Sequence, residues 1–249
     1  LKNNTTGCCN TASGAYALAN NTTASHNTAH GYTALYLNTT GAHNDSFGMC
    51  ALGKNTTGSY NVAVGSHAMH CNTTSSYNEA FGSNALYNNN GGQWNIALGG
   101  VALRLNTTGC KNTASGHYAQ GKNTTGSFNA VLGYQAMLEN TTGEQNVAIG
   151  NQALYNNETA NYNIAIGSNA LLRNTTGASN VAVGYLALDH NTTANDNTAV
   201  GLKALTSNTT GENNTGIGFN ALHSNTTGTP NTAVGAGSLT NNTTGTSNV

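Results

Sequence analysis

A 17-residue unit repeats along the whole chain without a single insertion or deletion. Its first asparagine occurs at residues 4, 21 and 38 and then every 17 residues up to 242, which gives fifteen copies in 249 residues. The consensus is N-T-T-G-x-x-N-x-A-x-G-x-x-A-L-x-x, and residues 140–156 (NTTGEQNVAIGNQALYN) are a clean copy. With columns numbered from that first asparagine, column 7 is always Asn and column 11 is Gly in every complete copy. A period this strict indicates a stack of equal coils.

The length and content of the unit favour β-structure. Seventeen residues are too few for the helix pairs of the common α-solenoids, which need about 33 or more. Gly and Asn in every copy also oppose helix. Short alternating runs such as Val62-Ala-Val64 and Ile164-Ala-Ile166 are bounded by Asn and Gly, as strands between turns are. We therefore predict an all-β fold, a parallel β-solenoid (β-roll) of about fifteen 17-residue coils, each with two short strands and two turns.

Composition excludes several classes of function. Charged residues make up only 6% of the chain and the formal net charge is −1, so there is no basic surface to neutralise phosphates and no basis for nucleic-acid binding. No apolar run approaches the ~20 residues of a membrane span. The eight acidic residues are scattered over several columns, without the paired groups that acid–base catalysis needs. We expect no enzyme activity, no cofactor and no membrane span in this segment.

Alternation along the strand predicts which columns lie inside the coil. Columns 7, 9 and 11 are Asn, mostly Ala, and Gly, and they share one strand face, whereas columns 8 and 10 share the other. We place the uniform small residues inside, closed by Ala in column 14 and Leu in column 15. The buried column 7 amides would then hydrogen-bond to one another as a ladder. That ladder comprises Asn10, Asn27, Asn44, Asn61, Asn78, Asn95, Asn112, Asn129, Asn146, Asn163, Asn180, Asn197, Asn214 and Asn231.

Column 10 would then be an outward apolar stripe. A stripe of this kind usually marks an association surface, which predicts self-association as a trimer, a bundle or an end-to-end fibril. The alternative is that column 10 faces inward and Asn faces outward, because the pattern fixes strand faces poorly when both are small. The predicted stripe is formed by Val64, Phe81, Leu98, Leu132, Ile149, Ile166, Val183 and Val200.

The phrases at 146–150 (NVAIG), 197–201 (NTAVG) and 231–235 (NTAVG) resemble the head repeats of trimeric autotransporter adhesins. The longer unit, NTAVGxxAL followed by NTTG, is similar to the repeat arrays of phage and bacterial tail-fibre proteins. The resemblance covers the whole chain and implies a β-roll, often trimeric, used as a stalk or receptor-binding head. It also implies an extracellular, cell-surface or virion-surface location.

The array runs from residue 1 to residue 249 as a single repeat domain, without an atypical repeat at either end. Because solenoids normally carry capping repeats, we expect the chain to be part of a longer protein or fibre.

Column 6 carries the most distinctive side chains. Tyr60, Tyr77 and Trp94 follow one another in it, with Phe128 further on. A stacked aromatic row can contact the sugar rings of cell-surface glycans or a partner chain, or it can simply cover a turn. The same column begins with Cys9, His26 and His43, residue types that bind zinc or copper. We expect these three to form polar surface without a metal, and a metal site is the alternative.

The Asn-Thr-Thr triplet allows three interpretations. It is an N-glycosylation sequon in thirteen copies, which begin with Asn4, Asn21 and Asn38. It is also a turn signal, because Asn adopts turn geometry and bonds to nearby backbone. Thr ladders could order water as in ice-binding solenoids, although adjacent Thr residues point to opposite faces of a strand. Together the patterns favour a structural or adhesive extracellular fibre forming a rigid rod or filament. The alternatives are a carbohydrate- or surface-binding module and an ice-binding solenoid.

Overall fold

The computed structural model describes all 249 residues and contains strands and turns but no helix. Fourteen three-residue strands occur, each occupying columns 8 to 10 of one repeat. This confirms an all-β parallel solenoid with 17-residue coils. The strand count is one below the number of repeats because the copy that starts at Asn242 reaches only column 8. The chain has no helix that could cross a membrane.

The chain forms two compact units, Leu1–Ser127 and Phe128–Val249. In each, the strands follow one another in chain order and every pair is parallel. The first unit contains β1 (Thr11–Ser13), β2 (Thr28–His30), β3 (Asp45–Phe47), β4 (Val62–Val64), β5 (Glu79–Phe81), β6 (Ile96–Leu98) and β7 (Thr113–Ser115). The second contains β8 (Ala130–Leu132), β9 (Val147–Ile149), β10 (Ile164–Ile166), β11 (Val181–Val183), β12 (Thr198–Val200), β13 (Thr215–Ile217) and β14 (Thr232–Val234).

The strand register aligns each repeat column with the same column of the neighbouring coil. Between β10 and β11, Ala165 is opposite Ala182 and Ile166 is opposite Val183, a separation of 17 residues. Outside the strand, coil-to-coil backbone bonds continue: the Gly150 amide donates to the Leu132 carbonyl at 2.8 Å. Stacking in register turns every feature of the repeat into a row along the sheet.

The predicted second strand is wrong. Columns 12 to 17 form turns, and the residues in columns 13 and 15 have left-handed backbone, with φ of 52° at Gln152 and 54° at Leu154. The coil still bonds to both neighbours there: the Gln152 amide donates to Tyr134 in the preceding coil, and the Leu154 amide donates to Ala170 in the following one. The backbone N–H and C=O groups of these turns are therefore hydrogen-bonded, although the turns form no regular β-ladder.

The apolar part of the interior is made mostly of alanine, and leucine supplies most of the rest. Ala148 in column 9, Ala153 in column 14 and Leu154 in column 15 have no exposed surface. Ile149 and Ile166 in column 10 are each 37% exposed. The inward placement of Asn and Ala is confirmed, and the alternative with column 10 inside is wrong, since the alanine-sized interior is already filled by column 15.

Candidate functional site

The column 7 asparagines form a continuous buried ladder within each unit. The Asn146 side chain is fully buried; its Nδ2 donates to Asn129 Oδ1 at 3.2 Å and to the Ala160 carbonyl at 2.9 Å. Its Oδ1 accepts the backbone N–H of Asn163 at 2.9 Å. Each amide thus bonds to both adjacent coils, which meets the hydrogen-bonding demand of a buried polar group.

Column 1 forms a second asparagine ladder that the sequence analysis missed. Asn55 is fully buried and its Nδ2 donates to Asn38 Oδ1 at 2.8 Å and to the Gly58 carbonyl at 2.9 Å. The Gly58 carbonyl also accepts from Nδ2 of Asn44 in column 7 at 2.8 Å, so the two ladders meet there. A signal was available: Asn89 and Asn157 keep column 1 where the triplet itself is broken.

This second ladder conflicts with glycosylation of the folded coil. Asn21 and Asn38 have no exposed surface, and Asn38 Nδ2 donates to Asn21 Oδ1 and to the Gly41 carbonyl. Asn4 is only partly buried, but its Nδ2 donates to the Gly7 carbonyl at 2.8 Å. A glycan needs that same nitrogen. The triplet therefore acts as a turn signal here, with the amide bonded to a carbonyl three residues on.

Threonines of columns 2 and 3 do not form a two-row face. The column 2 hydroxyls bond to the next coil, as Thr39 Oγ1 does to the Thr56 carbonyl at 3.1 Å. Column 3 residues such as Thr40 are exposed. The column 2 hydroxyls are thus used in coil-to-coil bonds, and column 3 provides the exposed threonine row.

Column 6 brings its aromatic residues into a stack in the first unit. The ring centroids of Tyr60 and Tyr77 are 5.0 Å apart with planes 3° apart, and those of Tyr77 and Trp94 are 6.1 Å apart with planes 11° apart. The three side chains are about half exposed. Lys111 Nζ lies 5.6 Å from the centre of the Trp94 ring, within range of a cation–π contact. Phe128 is also half exposed but belongs to the second unit.

A groove of about 330 Å³ runs beside this stack. That volume is at the lower end of the range for small-molecule sites. One wall is aromatic, and the other comes from column 8 and includes a single carboxylate. The lining residues are Tyr60, Val62, Tyr77, Glu79, Trp94 and Ile96. Because the rings partly cover one another's faces, a ligand in the groove would contact mainly ring edges and hydroxyl groups.

The outward stripe is wider than column 10 alone. Columns 8 and 10 share the outer face of each strand, so Val147 and Ile164 lie beside Ile149 and Ile166. No charged residue occurs in β8 to β14, whereas Asp45 and Glu79 interrupt the same face in the first unit. Every member of the predicted stripe is partly or largely exposed: Val64, Phe81, Leu98, Leu132, Ile149, Ile166, Val183 and Val200.

The first coils bring together Cys9 and His26 with Cys8, rather than with His43 as in the alternative considered from the sequence. The ligand atoms of Cys8, Cys9 and His26 all lie within 4.8 Å of one another. His43 is not in this group; its ring stacks on that of His26 at 4.8 Å with planes 10° apart. Bonding to Ser25 and then to Cys9 lowers the pKa of the Cys8 thiol, whereas neighbouring Cys8 raises the pKa of Cys9. All five cysteines are free thiols.

Comparison with known proteins adds no relative: no known family, no curated protein and no solved structure matches the chain.

Proposed function

We propose that the chain is a non-enzymatic structural segment of an extracellular fibre, in which its outer β-face associates with further copies of the same chain. The observation that carries this proposal is the uncharged outer face of β9 to β11. Its six outward side chains are Val147, Ile149, Ile164, Ile166, Val181 and Val183. Adjacent exposed aliphatic side chains over three coils are costly in water and are characteristic of an association surface.

The build of the coil supports a structural role. Backbone bonds and two side-chain ladders connect each coil to its neighbours, and the hydrogen bonds of the buried amides are internal. Outward columns such as 5, 6 and 12 are among the most variable positions of the repeat. A uniform interior with a variable exterior suits a fibre that presents a decorated surface. The resemblance to adhesin heads and tail-fibre arrays supports an extracellular place and a trimeric assembly.

Sedimentation velocity over a range of concentrations tests the association. We expect the unmodified chain to sediment as an oligomer and the double variant Ile149→Lys/Ile166→Lys to sediment as a monomer, because two buried lysines would lose their hydration at the interface. The matched control is Asn151→Lys/Ser168→Lys, which adds the same charge to the same two coils in column 12. The control should remain oligomeric, and all three proteins should give the same far-ultraviolet circular dichroism.

Two results would contradict the proposal. The unmodified chain could sediment as a monomer at every concentration, or both double variants could dissociate alike. The second result would show that added charge, rather than the outer β-face, governs assembly.

The groove beside Tyr60, Tyr77 and Trp94 supports a second candidate, a carbohydrate- or surface-binding module. Trp94 is the single tryptophan of the chain and lines the groove, so its fluorescence reports directly on ligands there. Glycans that bind should change this fluorescence, and Tyr77→Ala should remove their binding on a glycan array. Tyr162→Ala, in the same column of the second unit, is the control that should leave binding intact. Equal loss with both variants would count against the groove.

A further inference from the structure

The thiols of Cys8 and Cys9 and the imidazole of His26 lie in the first coils as a compact cluster. Their ligand atoms all lie within 4.8 Å of one another, and all three residues are exposed to solvent. Tetrahedral zinc with bonds of about 2.0–2.3 Å to nitrogen and sulfur holds its ligand atoms roughly 3.3–3.8 Å apart. The three atoms therefore lie within about 1–1.5 Å of the separations that a zinc ion requires.

We propose that Cys8, Cys9 and His26 form a binding site for a thiophilic divalent cation, with Zn²⁺ as the ion that it fits best. Two thiolates and one imidazole bind Zn²⁺ in preference to the hard cations Mg²⁺ and Ca²⁺. No further Cys, His, Asp or Glu belongs to the cluster. The fourth position of a tetrahedral ion would thus go to a solvent molecule or an external ligand, the arrangement of an open zinc site.

Coil-to-coil bonding fixes the positions of these residues before any ion arrives. The His26 amide donates to the Cys8 carbonyl at 3.1 Å, and the Cys8 amide donates to Ser25 Oγ at 3.0 Å. Cys9 and His26 share the left-handed backbone of column 6, with φ of 55° and 60°, so their Cβ atoms point in the same direction from adjacent coils. The backbone is thus held in register at the site, which lowers the ordering cost of binding.

The remainder of the chain supplies matched controls. Cys110 occupies the same column as Cys8 and its amide likewise donates to a serine, Ser127 Oγ, at 3.0 Å. The next residue, however, is Lys111 rather than a second thiol. His43 is stacked on His26 but lies outside the cluster. Neither Cys110 nor His43 should contribute to binding, although His43 belonged to the alternative set considered from the sequence.

Titration of the full chain with Co²⁺, under a phosphine reductant and without oxygen, tests the site. Co²⁺ serves as a coloured substitute for Zn²⁺. We expect near-ultraviolet thiolate-to-cobalt charge-transfer absorption that saturates at one ion per chain and disappears when Zn²⁺ is added. Cys8→Ser, Cys9→Ser and His26→Gln should each weaken binding by more than about 100-fold, beyond the effect typical of changes outside the ligand shell. Cys110→Ser and His43→Gln should bind Co²⁺ as the unmodified chain does.

Alkylation provides a readout that does not depend on colour. Zn²⁺ should slow the reaction of Cys8 and Cys9 with iodoacetamide, as located by mass spectrometry, and leave Cys110 unaffected. Circular dichroism of each variant checks that the fold is kept. The proposal fails if the folded, reduced chain shows no charge-transfer absorption, if the Cys110→Ser variant loses binding as Cys9→Ser does, or if Zn²⁺ protects neither thiol. None of these outcomes depends on whether the chain forms fibres.

Discussion

Buried asparagine is costly unless both atoms of its amide are bonded, and this chain buries two asparagines in almost every coil. This desolvation cost is offset because each amide lies one coil away from an identical amide, to which it can hydrogen-bond. Asn146 and Asn55 show the two forms of this arrangement, one accepting a backbone N–H from the next coil and the other bonding to a carbonyl within its own coil. At the residue scale, the fold therefore depends on the asparagine side-chain amide, which both donates and accepts hydrogen bonds, and not on any polar side chain in these columns.

Asn146→Ala should destabilise the chain by about 1–3 kcal/mol, because it leaves the buried Asn163 N–H without an acceptor, whereas the Ala160 carbonyl keeps its bond from Asn157 Nδ2. Asn151→Ala, on the exposed side of the same coil, should change stability by less than about 0.5 kcal/mol. Urea denaturation followed by circular dichroism measures both. Equal effects of the two substitutions would show that the ladder contributes little.

Gln120 is the one residue of column 15 with an amide, and it has no exposed surface. Neither its Oε1 nor its Nε2 has a hydrogen-bond partner. Gln120→Leu supplies the residue that most other coils carry there and should stabilise the chain by roughly 1–3 kcal/mol. Leu154→Gln, the reverse change in the second unit, should destabilise it. A lower denaturation midpoint for Gln120→Leu would show that the amide has a partner in solution.

Asp189 is also buried at a cost. Its Oδ1 has no hydrogen-bond partner, and Oδ2 lies 3.5 Å from His190 Nδ1. Burial raises the pKa of the Asp189 carboxyl above 3.8, so the folded chain holds this proton more tightly than the unfolded chain. The contribution of Asp189 to stability therefore falls as pH rises from below 3.8 through the folded pKa. Asp189→Asn should remove this dependence and raise the melting temperature at neutral pH; an unchanged pH profile would contradict this.

At the scale of the coil, sequence patterns predicted the strand and its faces but not the turns. Alternation of Asn, Ala and Gly with larger residues was enough to orient columns 7 to 11. The turns depend on left-handed backbone at ordinary residues such as Leu154 and Gln152. Such residues seldom adopt a left-handed conformation, so the residue types in these columns do not predict it. Column 1 was missed because Asn-Thr-Thr reads equally well as a local turn.

Column 11 limits how closely coils can stack. Gly150 has a φ of +135°, and a Cβ atom there would lie 2.6 Å from the carbonyl carbon and oxygen of Gly167. Gly150→Ala should cost more than the 1–3 kcal/mol typical of backbone strain alone, because the neighbouring coil must also move. Gly216→Ala, in column 9, is the control, since that column is alanine in both adjacent coils and the nearest atoms to an added Cβ lie 3.2 Å away. Thermal melts that rank the two variants the other way round would contradict this account.

At the scale of the whole molecule, the sequence predicted the coil length and the outward stripe, while the ligand groups depended on the register. Cys8 joins Cys9 and His26 only because adjacent coils place columns 5 and 6 side by side. Val147 and Ile164 widen the stripe because columns 8 and 10 share a face. Cys9 and His26 are 17 residues apart, as are Val147 and Ile164, so these neighbours follow from the stacking rather than from any local motif.

Stacking in register is therefore the central claim, and spin labels test it most directly. Nitroxides would be attached at engineered cysteines in a chain whose five native cysteines are serine, diluted with unlabelled chain. Labels at 151 and 168 lie in the same column of adjacent coils, about 4.8 Å apart at the backbone, and labels at 151 and 161 lie in different columns. We predict strong spin–spin broadening for the first pair and much weaker broadening for the second. Equal broadening for the two pairs would contradict the 17-residue coil.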